Sequence, residues 1–225
     1  MAEKKKAPRR RLKNTRNVYE KEFREYTHFT GVLKERLGEP EIGGFWVIQG
    51  MEKNGKTWAA VMLAVYFSMF VRTLYISAEE GISKWFQDTL RRVGASPTNR
   101  KLFYDEYMPI EEIEHYVSRN KNRFKVVFLD NELIYRDELK NGGVRRLMKL
   151  YPDILWVVLI HEEKGEPAGA TAKLLKKLCK VFFIVKGLRV EVGGRVPGGE
   201  FDLDQDGAEL YFGHKAIEQA NEKAS

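Results

Sequence analysis

Residues 45–60 read FWVIQGMEKNGKTWAA, and this stretch decides how the rest of the chain is interpreted. The apolar run Phe45–Ile48 is typical of a buried strand, and the segment Trp58–Val71 is apolar enough for a core helix. Between them, Gly50–Thr57 matches G-x-x-x-x-G-K-[ST] at every fixed position. An accidental glycine turn followed by a surface lysine is the alternative. The strand before the loop and the helix after it make that alternative less favoured.

The loop predicts a phosphate site. Backbone N–H groups of a loop that leads into a helix N-terminus can surround an anion, and glycines at 50 and 55 allow the close approach. We expect Lys56 to reach the β- and γ-phosphates of ATP and the Thr57 hydroxyl to bind Mg²⁺. The residues predicted to contact the nucleotide are Gly50, Met51, Glu52, Lys53, Asn54, Gly55, Lys56, Thr57 and Trp58.

Composition and charge narrow the class of protein. The chain has 225 residues and one cysteine, Cys179, which excludes an internal disulfide and indicates a reducing cytoplasm. No apolar run is long enough to span a bilayer and no secretory signal is visible, so we expect no membrane contact. The net charge is +7, and residues 1–16 carry all of it, with eight Lys or Arg against Glu3 (8 − 1 = 7).

The charge distribution separates an N-terminal tail from the rest of the chain. We predict a basic disordered tail over 1–16, a helical segment over 17–40, one α/β core over 41–215 and a polar tail over 216–225. A basic tail suits a polyanion, and nucleic acid is the obvious partner, although a tail that only improves solubility is an alternative. The predicted contacts in the tail are Lys4, Lys5, Lys6, Arg9, Arg10 and Arg11.

Acidic residues follow two further predicted strands. Thr73–Ser77 is followed by Glu79 and Glu80, one of which we expect to orient the water that attacks the γ-phosphate. The other would favour the positive end of a helix, and the sequence does not say which is which. A second strand, Phe124–Asp130, ends in a carboxylate suited to Mg²⁺, with a helix-cap role as the alternative for Asp130.

The remaining pattern alternates helices and strands. A strand over 154–160 ends at His161, which could sense the γ-phosphate or be structural, and a polar, mobile loop is expected over 162–170. After a helix and a strand, glycine pairs between short alternating segments predict a C-terminal β-hairpin. Arg145 and Arg146 lie in a predicted helix and could face a nucleic-acid channel or simply solvent. The predicted helices are 17–37, 82–93, 110–120, 138–150 and 173–180.

This alternation with a phosphate loop after the first strand predicts a parallel α/β sheet wrapped by helices. Three segments, LYISAEE at 74–80, VVFLDN at 126–131 and LIHEEKGEPAG at 159–169, resemble motifs of RecA-like P-loop NTPases, most closely the RadA/KaiC/DnaB branch. The resemblance implies a mostly parallel central sheet flanked by helices with a C-terminal β-hairpin. It also implies a sensor role for His161, a DNA-loop role for Lys164, and contact of Arg195 with the ATP of a neighbouring subunit.

The function implied by this resemblance is an ATP-hydrolysing enzyme that acts on DNA in recombination, repair or replication, and we expect that DNA to be single-stranded. It would work as a homo-oligomer, either a hexamer or a filament, and its small size is similar to ATPases of phages and mobile elements. A KaiC-type nucleotide-dependent switch that binds protein partners is the alternative. A small kinase is less favoured, because the core sequence shows no dense arginine lid.

Overall fold

The computed structural model describes residues 12–118 and 123–209, and these form a twisted sheet with helices on both faces. The strands are β1 Gly44–Gly50, β2 Thr73–Ser77, β3 Leu102–Asp105, β4 Val126–Asp130, β5 Leu155–Glu163, β6 Glu166–Pro167, β7 Val181–Lys186, β8 Arg189–Gly194 and β9 Gly199–Asp202. The helices are α1 Thr15–Tyr19, α2 Gly31–Leu37, α3 Lys56–Ser68, α4 Lys84–Arg92, α5 Ile110–Ser118, α6 Glu132–Leu139, α7 Gly143–Leu150 and α8 Gly169–Leu178.

The strand order is β3-β2-β4-β5-β1-β7-β8-β9, with β6 paired to β5. The six strands β3, β2, β4, β5, β1 and β7 are parallel to one another. By contrast, β8 pairs antiparallel with β7 and with β9, which forms the C-terminal hairpin, and β6 pairs antiparallel with β5. The predicted fold class is therefore confirmed. Parallel pairing brings the carboxyl ends of β1, β2, β4 and β5 to one edge of the sheet, here called the carboxyl edge. The opposite edge, where these strands begin, is the amino edge.

Side-chain alternation in β1 explains why its sequence is an unbroken apolar run. Trp46 and Ile48 enter the core cluster that also contains Phe67 of α3, whereas Phe45 and Val47 enter the cluster on the other face, which helices α5 to α8 cover. A strand buried on both faces has no solvent side to mark with polar residues. The phosphate loop is thus attached to the most deeply buried part of the sheet.

The N-terminal segment differs from its prediction. The single helix expected over 17–37 is wrong between α1 and α2, where residues 20–30 are not helical. The backbone N–H of Tyr26 donates to the Pro40 carbonyl at 2.9 Å, and the ring lies 5.2 Å from that of Phe67. Phe29 lies 5.6 Å from the same ring. An extended path lets both aromatic side chains enter one cluster while the backbone pairs with residues 40–42.

The segment after β5 also differs from its prediction. The loop expected over 162–170 is a short hairpin, in which Glu162 pairs with Pro167 and Glu163 with Glu166, and α8 already begins at Gly169. We call residues 155–167 the β5–β6 hairpin.

None of the helices within the described residues is long and apolar enough to cross a membrane. The predicted basic contacts Lys4 to Arg11 and the tail over 216–225 lie outside the described residues.

Candidate functional site

The glycine loop connects β1 to α3 at the carboxyl edge. Gly50 is the last residue of β1, and a Cβ atom added there would lie 2.6 Å from the carbonyl oxygen of Val185. Gly55 is the N-cap of α3 with φ of +93°, a backbone conformation that favours glycine. The first N–H groups of α3 have no partner within the helix. They therefore form, with the loop, an anion site at a helix N-terminus.

Lys56 is buried at the start of α3. Its Nζ donates a hydrogen bond to the Met51 carbonyl at 2.8 Å, so the ammonium group lies inside the curve of the loop. Burial lowers the pKa of Lys56, and the nearby charges of Glu79 and Asp130 oppose that effect. A cation held in a poorly solvated position by one carbonyl can gain much from a bound anion.

Asp130, the last residue of β4, has a carboxylate in contact with the loop helix. The Thr57 hydroxyl donates to its Oδ2 at 3.4 Å, and the Tyr75 hydroxyl donates to the same atom at 2.7 Å. The side chain is almost fully buried, and that burial raises its pKa to about 7, although the hydrogen bond from Tyr75 acts in the opposite direction. Burial of Asp130 thus disfavours its ionised form relative to its protonated form.

The arrangement fits a magnesium ion that shares its ligands with phosphate. Within 12–118 and 123–209, no three His, Cys, Asp or Glu side chains form a cluster that could hold a metal alone. Mg²⁺ in nucleotide sites takes one or two protein oxygens and completes its octahedron with phosphate oxygens and water. Thr57 Oγ1 and Asp130 Oδ2 would supply those protein oxygens.

Glu79 belongs to a network of polar side chains next to Asp130. Its backbone N–H donates to the Asp130 carbonyl at 3.0 Å, and its carboxylate accepts a hydrogen bond from Nδ2 of Asn131. The same Nδ2 lies 3.0 Å from Nε2 of His161, the residue at the end of the apolar part of β5. The Glu80 residue is exposed as a whole, but partial desolvation of its carboxyl group, together with the charge of Glu79, raises its pKa. The network therefore distinguishes Glu79 from Glu80.

A second contact joins the loop strand to the β5–β6 hairpin. Gln49 of β1 donates through Nε2 to Oε2 of Glu162 at 2.9 Å, and both side chains are buried. Beside them a cavity of about 580 Å³ opens between the loop, α6 and the hairpin, lined by Met51, Glu52, Leu133, Arg136, His161, Glu162, Glu163, Ala168 and Gly169. The hairpin is thus in direct contact with the strand that carries the phosphate loop.

Several predicted site residues lie away from this edge. Arg195 follows β8, whose last residue pairs with the first residue of β7, so it is exposed at the amino edge and cannot reach its own loop. Arg145 and Arg146 are on α7, where Arg146 pairs with Glu114 at 2.8 Å. Lys164, by contrast, lies beyond the carboxyl end of β5, in the turn of the β5–β6 hairpin, with φ of +52°.

Three residues of the site were not predicted: Asn131, Tyr75 and Gln49. Asn131 follows Asp130 directly, so its place at the strand end could have been recognised as a second polar group at the site. The Tyr75 hydroxyl reaches Asp130 because Ser77 pairs with Asp130 two residues further along β2. That register is a long-range property, and nothing in the local sequence shows it.

Comparison with known proteins supports the fold. The chain matches no protein-family model, and a search of curated proteins also gives no match. A solved structure that does match is the flagellar accessory protein FlaH from Methanocaldococcus jannaschii, with a TM-score of 0.57 and 14% sequence identity, covering 81% of this chain and 96% of that chain. The likeness shows a RecA-like fold for this chain.

Proposed function

We propose that this protein is a Mg²⁺-dependent ATPase. The observation that carries the proposal is the contact between Thr57 Oγ1 and Asp130 Oδ2 at 3.4 Å, which joins the helix of the phosphate loop to a strand-end carboxylate. A glycine loop alone occurs in many proteins. A glycine loop whose Thr lies against a buried carboxylate, with Lys56 beside both, is the arrangement that phosphoryl transfer requires.

Each residue then has a defined task. The loop N–H groups and Lys56 bind the β- and γ-phosphate oxygens, while Thr57 and Asp130 hold the metal. Bound Mg²⁺ supplies positive charge to the phosphate oxygens. Glu79 accepts a hydrogen bond from the attacking water and fixes its direction. Most of the rate increase comes from charges positioned before the reaction, so even a change that conserves charge at Lys56 is harmful.

The proposal extends to DNA and to oligomers. The support for DNA is the +7 charge of residues 1–16, which suits the phosphate backbone of a single strand. The support for a hexamer or filament is the exposed position of Arg195 at the amino edge, from which it could only act on the nucleotide of a neighbouring subunit. The RadA/KaiC/DnaB branch and a phage or mobile-element type remain part of this proposal.

The test is ATP turnover of the purified chain with Mg²⁺, with and without single-stranded DNA, beside a variant that lacks residues 1–16. We expect Mg²⁺-dependent hydrolysis, severalfold stimulation by DNA, and weaker DNA binding of the shortened variant with unchanged MgATP affinity. If calorimetry detects no MgATP binding, the ATPase proposal fails. If hydrolysis occurs but neither DNA nor the tail changes it, only the DNA part fails.

One observation favours a second candidate, a nucleotide-dependent switch that binds protein partners. The β5–β6 hairpin carries Glu162, Glu163 and Glu166 against Lys164 alone, and such an acidic element repels a phosphate backbone. FlaH, which shares the fold, is named as a flagellar accessory protein. Nucleotide binding with slow turnover that DNA does not stimulate would favour the switch over the DNA motor.

A further inference from the structure

Asn131 makes three polar contacts from a single buried amide. Its Oδ1 lies 2.8 Å from the backbone N–H of Leu133, which makes it the N-cap of α6. Its Nδ2 contacts the carboxylate of Glu79 and lies 3.0 Å from Nε2 of His161. The residue is 1% exposed, so water does not satisfy these groups in place of the protein.

The contact with α6 fixes the orientation of this amide. A backbone N–H can only donate, so the atom of Asn131 that faces Leu133 must be the oxygen. The nitrogen, which can only donate, therefore faces both Glu79 and His161. The Nε2 atom of His161 must then accept, which assigns the proton of the neutral ring to Nδ1.

We propose that Asn131 is a positioning residue that holds Glu79 in its water-orienting place and links it to the β5–β6 hairpin through His161. The proposal rests on the ATPase function proposed above. Glu79 is at the exit of β2 and about half exposed, so without this donor its carboxylate could rotate away. The His161 carbonyl accepts from the N–H of Ala168 at 2.9 Å, so His161 joins Asn131 both to β5 and to the residue that follows β6.

A simple helix cap is the competing explanation, and one substitution separates the two roles. Asn131→Ser keeps a good cap acceptor but removes the donor that reaches Glu79 and His161. We expect a melting temperature within a few degrees of wild type, MgATP affinity within about twofold, and kcat lower by about tenfold or more. Ser83→Ala is the matched control, since Ser83 caps α4 through Phe86 and does not contact the network. Wild-type kcat in Asn131→Ser would overturn the proposal.

The second measurement does not depend on ATP turnover. In ¹⁵N spectra of the imidazole nitrogens at pH 8, assigned with a His161→Gln variant, we expect the His161 proton on Nδ1 in the wild type. In Asn131→Asp the carboxylate replaces the donor, so Nε2 should become protonated. A wild-type proton on Nε2, or an unchanged spectrum in Asn131→Asp, would refute the link to His161. The expected spectra in a protein without ATPase activity would instead refute the proposed function alone.

Discussion

The pKa values of two aspartates at opposite edges of the sheet, Asp153 and Asp130, are shifted in opposite directions. At the amino edge, Asp153 forms ion pairs with Arg24 and Arg123, and the hydrogen bond from Arg24 lowers its pKa. At the carboxyl edge, burial raises the pKa of Asp130 to about 7 and lowers that of Lys56. The Asp153 carboxylate is thus stabilised in its ionised form by its partners, whereas burial disfavours the charged forms of Asp130 and Lys56. Charges that cost stability persist where they serve binding or catalysis, so the carboxyl edge is the functional one.

The largest expected effect is at Lys56. A Cβ atom added at Gly50 would lie 3.3 Å from Lys56 Cγ, so the stem of this lysine runs close along the loop. In Lys56→Arg the planar guanidinium cannot occupy the place of the compact ammonium. We expect MgATP affinity to fall by about 100-fold or more, measured by calorimetry. Lys180→Arg at the amino edge is the matched control and should bind within about twofold of wild type. Equal losses in both variants would contradict the distinction between the edges.

The next largest effect is a difference in turnover between variants of two adjacent carboxylates, Glu79 and Glu80. In Glu79→Gln we expect MgATP binding to be retained and kcat to fall by about 10²-fold, because the uncharged amide is a weaker acceptor for the water than the carboxylate and cannot take up its proton. Glu80→Gln should retain turnover within about threefold, since the hydrogen bonds of Asn131 within the described residues reach Glu79 and not Glu80. Single-turnover hydrolysis at saturating MgATP measures both. Wild-type turnover in Glu79→Gln would show that the network does not mark the catalytic residue.

The sequence predicts those parts of this site that depend on neighbours along the chain. The strand–loop–helix unit at 45–60 and the acids at the ends of β2 and β4 are local patterns, and parallel pairing brings such ends to one edge. The choice between Glu79 and Glu80 could not be predicted, because it depends on where Asn131 points its amide. The Tyr75 hydroxyl was missed for the same reason, since only the strand register brings it to Asp130.

The N-terminal segment shows a different limit of prediction from sequence. Apolar residues at 18, 23, 26, 29, 32 and 33 fall near helical spacing, and the pattern predicted one helix. In the structure, Tyr26 and Phe29 are buried in the aromatic cluster around Trp46, whereas Val18 and Phe23 are about half exposed. All four residues fit the helical pattern approximately, but only Tyr26 and Phe29 are buried against the aromatic cluster. Tertiary packing overrode the local pattern.

A third effect concerns the free energy of unfolding without nucleotide. A folded-state pKa of about 7 against an ordinary 3.8 means that the fold favours protonated Asp130. This stability is complete below pH 3.8 and is lost as pH rises through 7. Asp130→Asn never ionises, so its stability relative to wild type should be about 2.5 kcal/mol more favourable at pH 8 than at pH 5. Urea unfolding in EDTA measures this, and equal differences at both pH values would contradict it.

The smallest effect is expected at the amino edge, from Arg24→Ala. The pair with Asp153 is well exposed, and Arg123 lies 3.5 Å from the other oxygen of the same carboxylate, so Asp153 keeps a partner. Exposed pairs of this kind contribute about 0–1 kcal/mol, and urea unfolding at pH 7 should change by no more than that. The pH dependence has the opposite sign to that of Asp130. The pKa of Asp153 is lowered, so its contribution is present above pH 3.8 and is lost as pH falls. A loss above about 2 kcal/mol at pH 7 would mean that the amino edge also depends on its charges, and the contrast between the edges would then not identify the functional one.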